Sequence, residues 1–89
     1  MSDTIIEEKT IEQKEKEFYT KLGEALKQAR WAARKTQTDV AKTINVTFQQ
    51  IQKYEKGVNY PKEYRTRKIV EYLGRDYETF LKDNNVHTY

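Results

Sequence analysis

Cysteine is absent from the 89 residues, so no disulfide staples the fold and no thiolate is available as nucleophile or ligand. The same absence removes the redox clue to compartment. The single histidine, His87, lies near the C-terminus with no acidic cluster beside it. That is too little for a metal site or an acid–base pair, so neither an enzyme, a metal nor a cofactor is expected. No apolar run approaches the ~20 residues needed to cross a bilayer. The N-terminus lacks the basic stretch followed by an apolar one that marks a signal peptide. A cytoplasmic location, with no membrane contact, is the default expectation. Proline occurs once and glycine three times, so backbone punctuation falls at few places: Gly57 and Gly74 suit helix stops, and Pro61 suits a helix start.

What is present is charge. Apolar residues make up 36% of the chain and charged residues 35%, which predicts one small domain with a compact core and a heavily solvated surface. The net charge of +3 is unevenly spread. Residues 1–17 hold three lysines against six acids, whereas residues 18–89 hold fourteen basic groups against eight acids. The larger part is therefore basic by itself, as attraction to phosphate requires and as simple solubility also permits.

The stretch from Thr36 to Lys56 reads as two short helices joined by a tight turn. Thr36 can cap the first, which carries Val40, Ala41 and Ile44 on one face. Asn45 tolerates the left-handed backbone that stops a helix. Thr47 can cap the second, with Gln50 three residues on at the spacing of a capping box, and Val46 and Ile51 at that of a hydrophobic staple. The second helix then presents Phe48, Gln49, Gln50, Gln52 and Lys53 outward. Such a surface suits the major groove of DNA, where an amide pairs bidentately with adenine.

Within that helix Gln49 is the first candidate for base readout. Gln50 either joins it or closes the capping box onto Thr47. Lys53, one turn beyond Gln49, suits a guanine edge or a phosphate. Phe48 either presses on a thymine methyl or packs against the preceding helix. Thr47, Lys56, Tyr60 and Lys62 surround the motif and are candidates for gripping phosphates, with Arg34 and Lys35 as weaker members. Contacts of that kind set register without reading sequence.

The stretch from Leu22 to Leu81 resembles the repressor/Cro-type, or XRE, helix-turn-helix family. The matching residues include Leu22-Gly23, Leu26, Arg30, Thr36-Gln37, Val40-Ala41, Val46-Thr47, Ile51, Tyr54-Glu55, Gly57, Pro61, Ile69 and Leu73-Gly74. The resemblance implies an all-α bundle of about five helices around a central helix-turn-helix. It also implies that Gln37, at the amino end of the second helix, contacts phosphate, and that Arg30 and Glu55 form a semi-buried ion pair. Arg34-Lys35 departs from the glycine and apolar residue common in relatives, which leaves the first helix's stop weakly specified. Glu63 and Thr66 replace aliphatics, so Tyr64 and Tyr72 are expected to share the packing. Trp31 and Tyr54 are expected in the core or on a dimer surface.

Three segments follow: an acidic extension over 1–17, helical or disordered; a DNA-binding domain over 18–82, whose first helix runs from about Phe18 to Ala33; and a flexible tail over 83–89. The expected function is a sequence-specific transcriptional regulator, most often a repressor in this family, binding a pseudo-palindromic DNA operator as a homodimer. Pairing is expected through the loop after Gly57 and the last helix around Tyr77 and Phe80. Two rivals remain: an antitoxin-type protein whose arm, residues 1–17, binds a partner protein, and an interaction module that has lost DNA binding. The absence of any acid over 47–53 counts against the second.

Overall fold

A computed structural model describes residues 10–86 of the chain. They form five helices: α1 (Ile11–Ala32), α2 (Gln37–Thr43), α3 (Phe48–Glu55), α4 (Glu63–Tyr72) and α5 (Tyr77–Asp83). No strand occurs among the described residues, so the fold is the expected all-α bundle. None of these helices is long and apolar enough to cross a membrane.

Helix starts follow from side chains that satisfy orphan amides. Thr36 and Asp39 close a reciprocal capping box on α2, and Asp76 accepts from the Thr79 amide at the start of α5. At α3 the Thr47 hydroxyl accepts from the Gln50 amide, but Gln50 does not reach back. Its side chain is therefore not consumed by the cap. Helix α1 starts at Ile11, ahead of the start expected at about Phe18 and inside the segment given as helical or disordered: Thr10 and Gln13 form a full capping box there, and the helix runs without a break through the acidic residues that follow. Nothing between Ile11 and Glu17 is buried. Residues 1–9, the rest of that segment, lie outside the described residues.

All five helices stop alike. The residue after each C-cap is left-handed: Arg34, Asn45, Gly57, Gly74 and Asn85, with φ between 55° and 82°. The next amide then bonds the carbonyl five residues back, as from Lys35 to Arg30 at 3.1 Å and from Val58 to Lys53 at 3.0 Å. This Schellman arrangement satisfies carbonyls that the helix leaves bare. Arg34 does glycine's work at φ 58°, and so α1 stops at Ala32 rather than running on. A side chain there costs about 1 kcal/mol. Arg34→Gly should therefore raise the unfolding free energy by about 0.5–1 kcal/mol. A denaturant midpoint that stays put or falls would show that no strain resides at Arg34.

The core is built from one face of each helix: Leu22, Leu26 and Ala29 of α1, Val40 and Ala41 of α2, Ile51 and Tyr54 of α3, Ile69 and Val70 of α4, and Phe80 of α5. Helix α3 packs on both α1 and α2, which fixes its orientation. Gly23 makes the α1–α3 approach possible. A Cβ there would lie 2.4 Å from the Tyr54 carbonyl oxygen and 2.7 Å from that of Glu55.

Several expectations need correction. Pro61 lies before the Lys62 N-cap of α4 rather than in its first turn. Thr66 is fully buried, its hydroxyl donating to the Lys62 carbonyl at 3.1 Å, and Tyr64 and Tyr72 remain exposed instead of filling the space. A hydrogen-bonded threonine fits where an aliphatic was expected, because its hydroxyl is satisfied within its own helix. Of the two aromatics expected in the core or on a dimer surface, Tyr54 lies within the core and Trp31 lies outside it, 54% exposed. The packed region does not stop at residue 82. Val86 is buried against the core, held by the amide bond from Val86 to Leu81 at 2.9 Å. Residues 87–89, including His87, lie outside the described residues.

Candidate nucleic-acid interface

With Ile51, Tyr54 and Glu55 buried, the opposite arc of α3 faces solvent. Gln49, Gln52 and Lys53 lie on it, and Lys56 continues it just past the helix; all four are exposed. Gln50 stands at its edge, half-buried. Among the described residues none of these five side chains has a hydrogen bond or ion pair inside the fold. Two turns of helix thus offer amides and ammonium groups with no internal partner. Phe48 is 45% exposed at the amino end of α3, so its ring is not absorbed by the core.

The angle of α3 is set by a polar network beneath it. Arg30 of α1 donates from Nε to Glu55 Oε2 at 2.7 Å and from Nη2 to Oε1 at 3.1 Å. Only 11% of the arginine side chain and 6% of the glutamate side chain meet solvent. This bidentate pair was implied by the resemblance, and it is present. Two further bonds complete it: Arg30 Nη1 donates to the Lys35 carbonyl at 3.0 Å, and Gln37 Nε2 donates to Glu55 Oε1 at 3.0 Å. One carboxylate therefore ties α1, α2 and α3 together.

Gln37 had been expected only as a phosphate contact. Its bond to Glu55 commits one amide hydrogen and leaves the other for an anion. At the same helix end, hydrogen bonds from the Thr36 amide and hydroxyl hold the Asp39 carboxyl below its ordinary pKa. Asp39 is thus negative at neutral pH, which opposes a second anion beside α2. Positive charge nearby, from Lys35 and Lys42, offsets it. The Thr47 hydroxyl accepts from the Gln50 amide and keeps its own proton to donate.

The other grip candidates sit past α3. Tyr60 is exposed, its ring stacked on Tyr19 of α1 at 3.8 Å between centroids and 10° between planes. The stack fixes the loop that carries Tyr60 to the first helix. Lys62 is exposed at the N-cap of α4. Phe80 is 1% exposed and cannot belong to a pairing surface, contrary to expectation, and Tyr77 is half-buried with the Arg67 guanidinium 4.5 Å above its ring. The apolar groups exposed on this side are Val58, Tyr60 and Tyr64. Among the described residues no cluster of histidine, aspartate and glutamate is arranged to hold a metal ion.

Comparison with known proteins agrees with this geometry. A family model described as a helix-turn-helix domain matches residues 23–86. An uncharacterized HTH-type transcriptional regulator of Sinorhizobium fredii is 39% identical over 62 residues, which are 70% of this chain and 43% of that protein. The chain thus spans less than half the length of that relative. No solved structure gives a significant match. With the match running from the Gly23 contact to the buried Val86, and with both helices of the motif inside it, this chain belongs to the helix-turn-helix domain family, of the repressor/Cro type.

Proposed function

We propose that this protein is a sequence-specific DNA-binding transcriptional regulator that lays α3 in the major groove. The observation that carries the reading is the solvent arc of α3. Gln49, Gln52, Lys53 and Lys56 are exposed, make no hydrogen bond or ion pair within the described fold, and sit on a helix held rigid by the Glu55 network. The domain spans residues 18–86, and the first turns of α1 form an acidic arm available to a partner protein. Gln49 and Lys53 read base edges, with Gln50 and Phe48 beside them. Gln37, Thr47, Lys56, Tyr60 and Lys62 grip phosphates on either side.

Two copies bind a pseudo-palindrome, pairing through the exposed Val58 and Tyr64 rather than through Phe80. With half-sites about one helical turn apart, a bound dimer would block polymerase and so repress. The site of action is the nucleoid of the cytoplasm.

Selection from random duplexes, followed by sequencing, should recover a two-fold symmetric site. Gln49→Ala should then weaken binding to that site by about 1–3 kcal/mol and relax preference at one base pair. A mutant that binds as tightly as the parent with the same base preference would remove Gln49 from the readout set. A selection that enriches no sequence would end the reading as a whole.

A further inference from the structure

Away from the readout arc, the surface between α1 and α5 falls into a groove of about 310 Å³. Phe18, Tyr19 and Leu22 line it from α1, Tyr77 and Leu81 from α5, with Pro61 beside them. Phe18, Tyr19, Tyr77 and Leu81 are half-buried, each packed on the core and leaving part of its apolar surface to the groove. Helix α5 takes its main packing from α4, so the groove is a gap between the first helix and the last.

Reach selects what fills it. Val86 also lines the groove, buried at 4% exposure, and the chain continues from it with His87, Thr88 and Tyr89. The left-handed turn at Asn85 and the bond from the Val86 amide to the Leu81 carbonyl deliver the chain to this place. Three extended residues span up to ~10 Å, about the diameter of a helix, so Tyr89 can reach the α1 wall. Chemistry agrees, since two of the three residues carry rings, and Phe18, Tyr19 and Tyr77 offer edges and faces to pack them. Charge counts against the nearest rival, residues 1–9. They offer Ile5 and Ile6, but with three acids against one lysine. Glu63 lines the groove, and a single guanidinium, Arg67, bridges both Glu63 and Glu78. That excess of negative charge repels an acidic segment, whereas the side chains of residues 87–89 include no acid.

We propose that residues 87–89 fold back into this groove, with the Tyr89 ring seated against Phe18 and Leu81, and so strap α5 to α1. The strap covers apolar surface that the five helices leave open. It owes nothing to DNA binding, and rests on the groove and on the chain that runs out of it at Val86.

The test uses the full chain with carbon-13 methyl labels. Leu22, Leu81 and Val86 report on the groove, and Leu26 and Val40, which line none of it, serve as controls. In the parent, the Tyr89 ring protons should show cross-relaxation with the Leu81 methyls, a contact read without any variant. Tyr89→Ala should move the three groove signals, because a ring seated on a methyl displaces its resonance, and leave the controls in place. The folded-to-unfolded ratio of that variant should fall about tenfold, the scale of one partly buried ring, and Tyr89→Phe, which keeps the ring, should restore it. Unmoved groove methyls, or a folding ratio that Tyr89→Ala leaves unchanged, overturn the proposal. Groove signals that move instead on joint Ile5→Ser and Ile6→Ser substitution overturn it in favour of residues 1–9. A Tyr89 contact that fades on dilution overturns it in favour of the same residues of a second copy. None of these results bears on the DNA-binding reading.

Discussion

Replacing Glu55 with alanine should lower the unfolding free energy by about 3 kcal/mol or more. The carboxylate accepts three hydrogen bonds, at 2.7 and 3.1 Å from Arg30 and at 3.0 Å from Gln37, and is almost closed to water. Its removal strands the Arg30 guanidinium where solvent cannot replace the lost partner, and a buried unpaired charge is far costlier than a lost surface contact. The pair between Arg67 and Glu63 serves as an internal control, because those side chains are 39% and 72% exposed. Glu63→Ala should cost under about 1 kcal/mol. Removing Arg30 and Glu55 together should cost less than the sum of the two single changes, since the double variant leaves no orphan charge. Denaturant melts decide the matter. A Glu55→Ala loss no larger than that of Glu63→Ala would show that the network does not hold α3 in place.

Gly23→Ala should be destabilising by about 2–3 kcal/mol, although alanine is the better helix former by about 1 kcal/mol at an exposed position. The methyl would fall 2.4 Å from one backbone oxygen of α3, 2.7 Å from another and 2.9 Å from a carbonyl carbon. None of those atoms is the end of a flexible side chain, so α1 and α3 must move apart. Because α3 also carries the proposed readout surface, affinity for the selected site should fall even where the variant remains folded. A rise in melting temperature, as expected from helix propensity alone, would contradict the close approach.

The elements that the sequence made legible are those whose signal is local. Thr36 and Thr47 were readable as caps because a short oxygen side chain must precede each amphipathic run, and Asn45, Gly57 and Gly74 were readable as stops. The Thr10–Gln13 box carries the same pattern as Thr47–Gln50 and could have been read in the same way. It was obscured by the polar, acidic composition around it, which resembles a disordered arm. The reverse holds at Gln50, where the spacing is right but the side chain does not close the box. Spacing permits that bond without requiring it.

What remained illegible depends on tertiary contact. Arg34 has poor propensity for a left-handed turn, and it adopts one because the Schellman bonds and the Arg30 bond to the Lys35 carbonyl over-determine the chain there. The bond from Gln37 to Glu55 joins residues eighteen apart and has no sequence signature. Periodicity could not place Trp31 outside the core, because an indole at helical spacing reads as a core residue until its neighbours are known. Val86 was missed for the converse reason: one valine among polar residues carries no pattern, and only the left-handed turn at Asn85 returns it to the bundle.

The most direct measurement is a titration of the selected palindrome against a duplex carrying one half-site, repeated at several salt concentrations. A dimer that neutralises roughly eight phosphates with its basic side chains should give a slope of log K against log salt near −7. It should also prefer the palindrome strongly, with half-sites about 34 Å apart. Comparable affinity for the two duplexes, or a slope shallower than about −2, would contradict the claim that this protein grips an operator as a pair with α3 in the major groove.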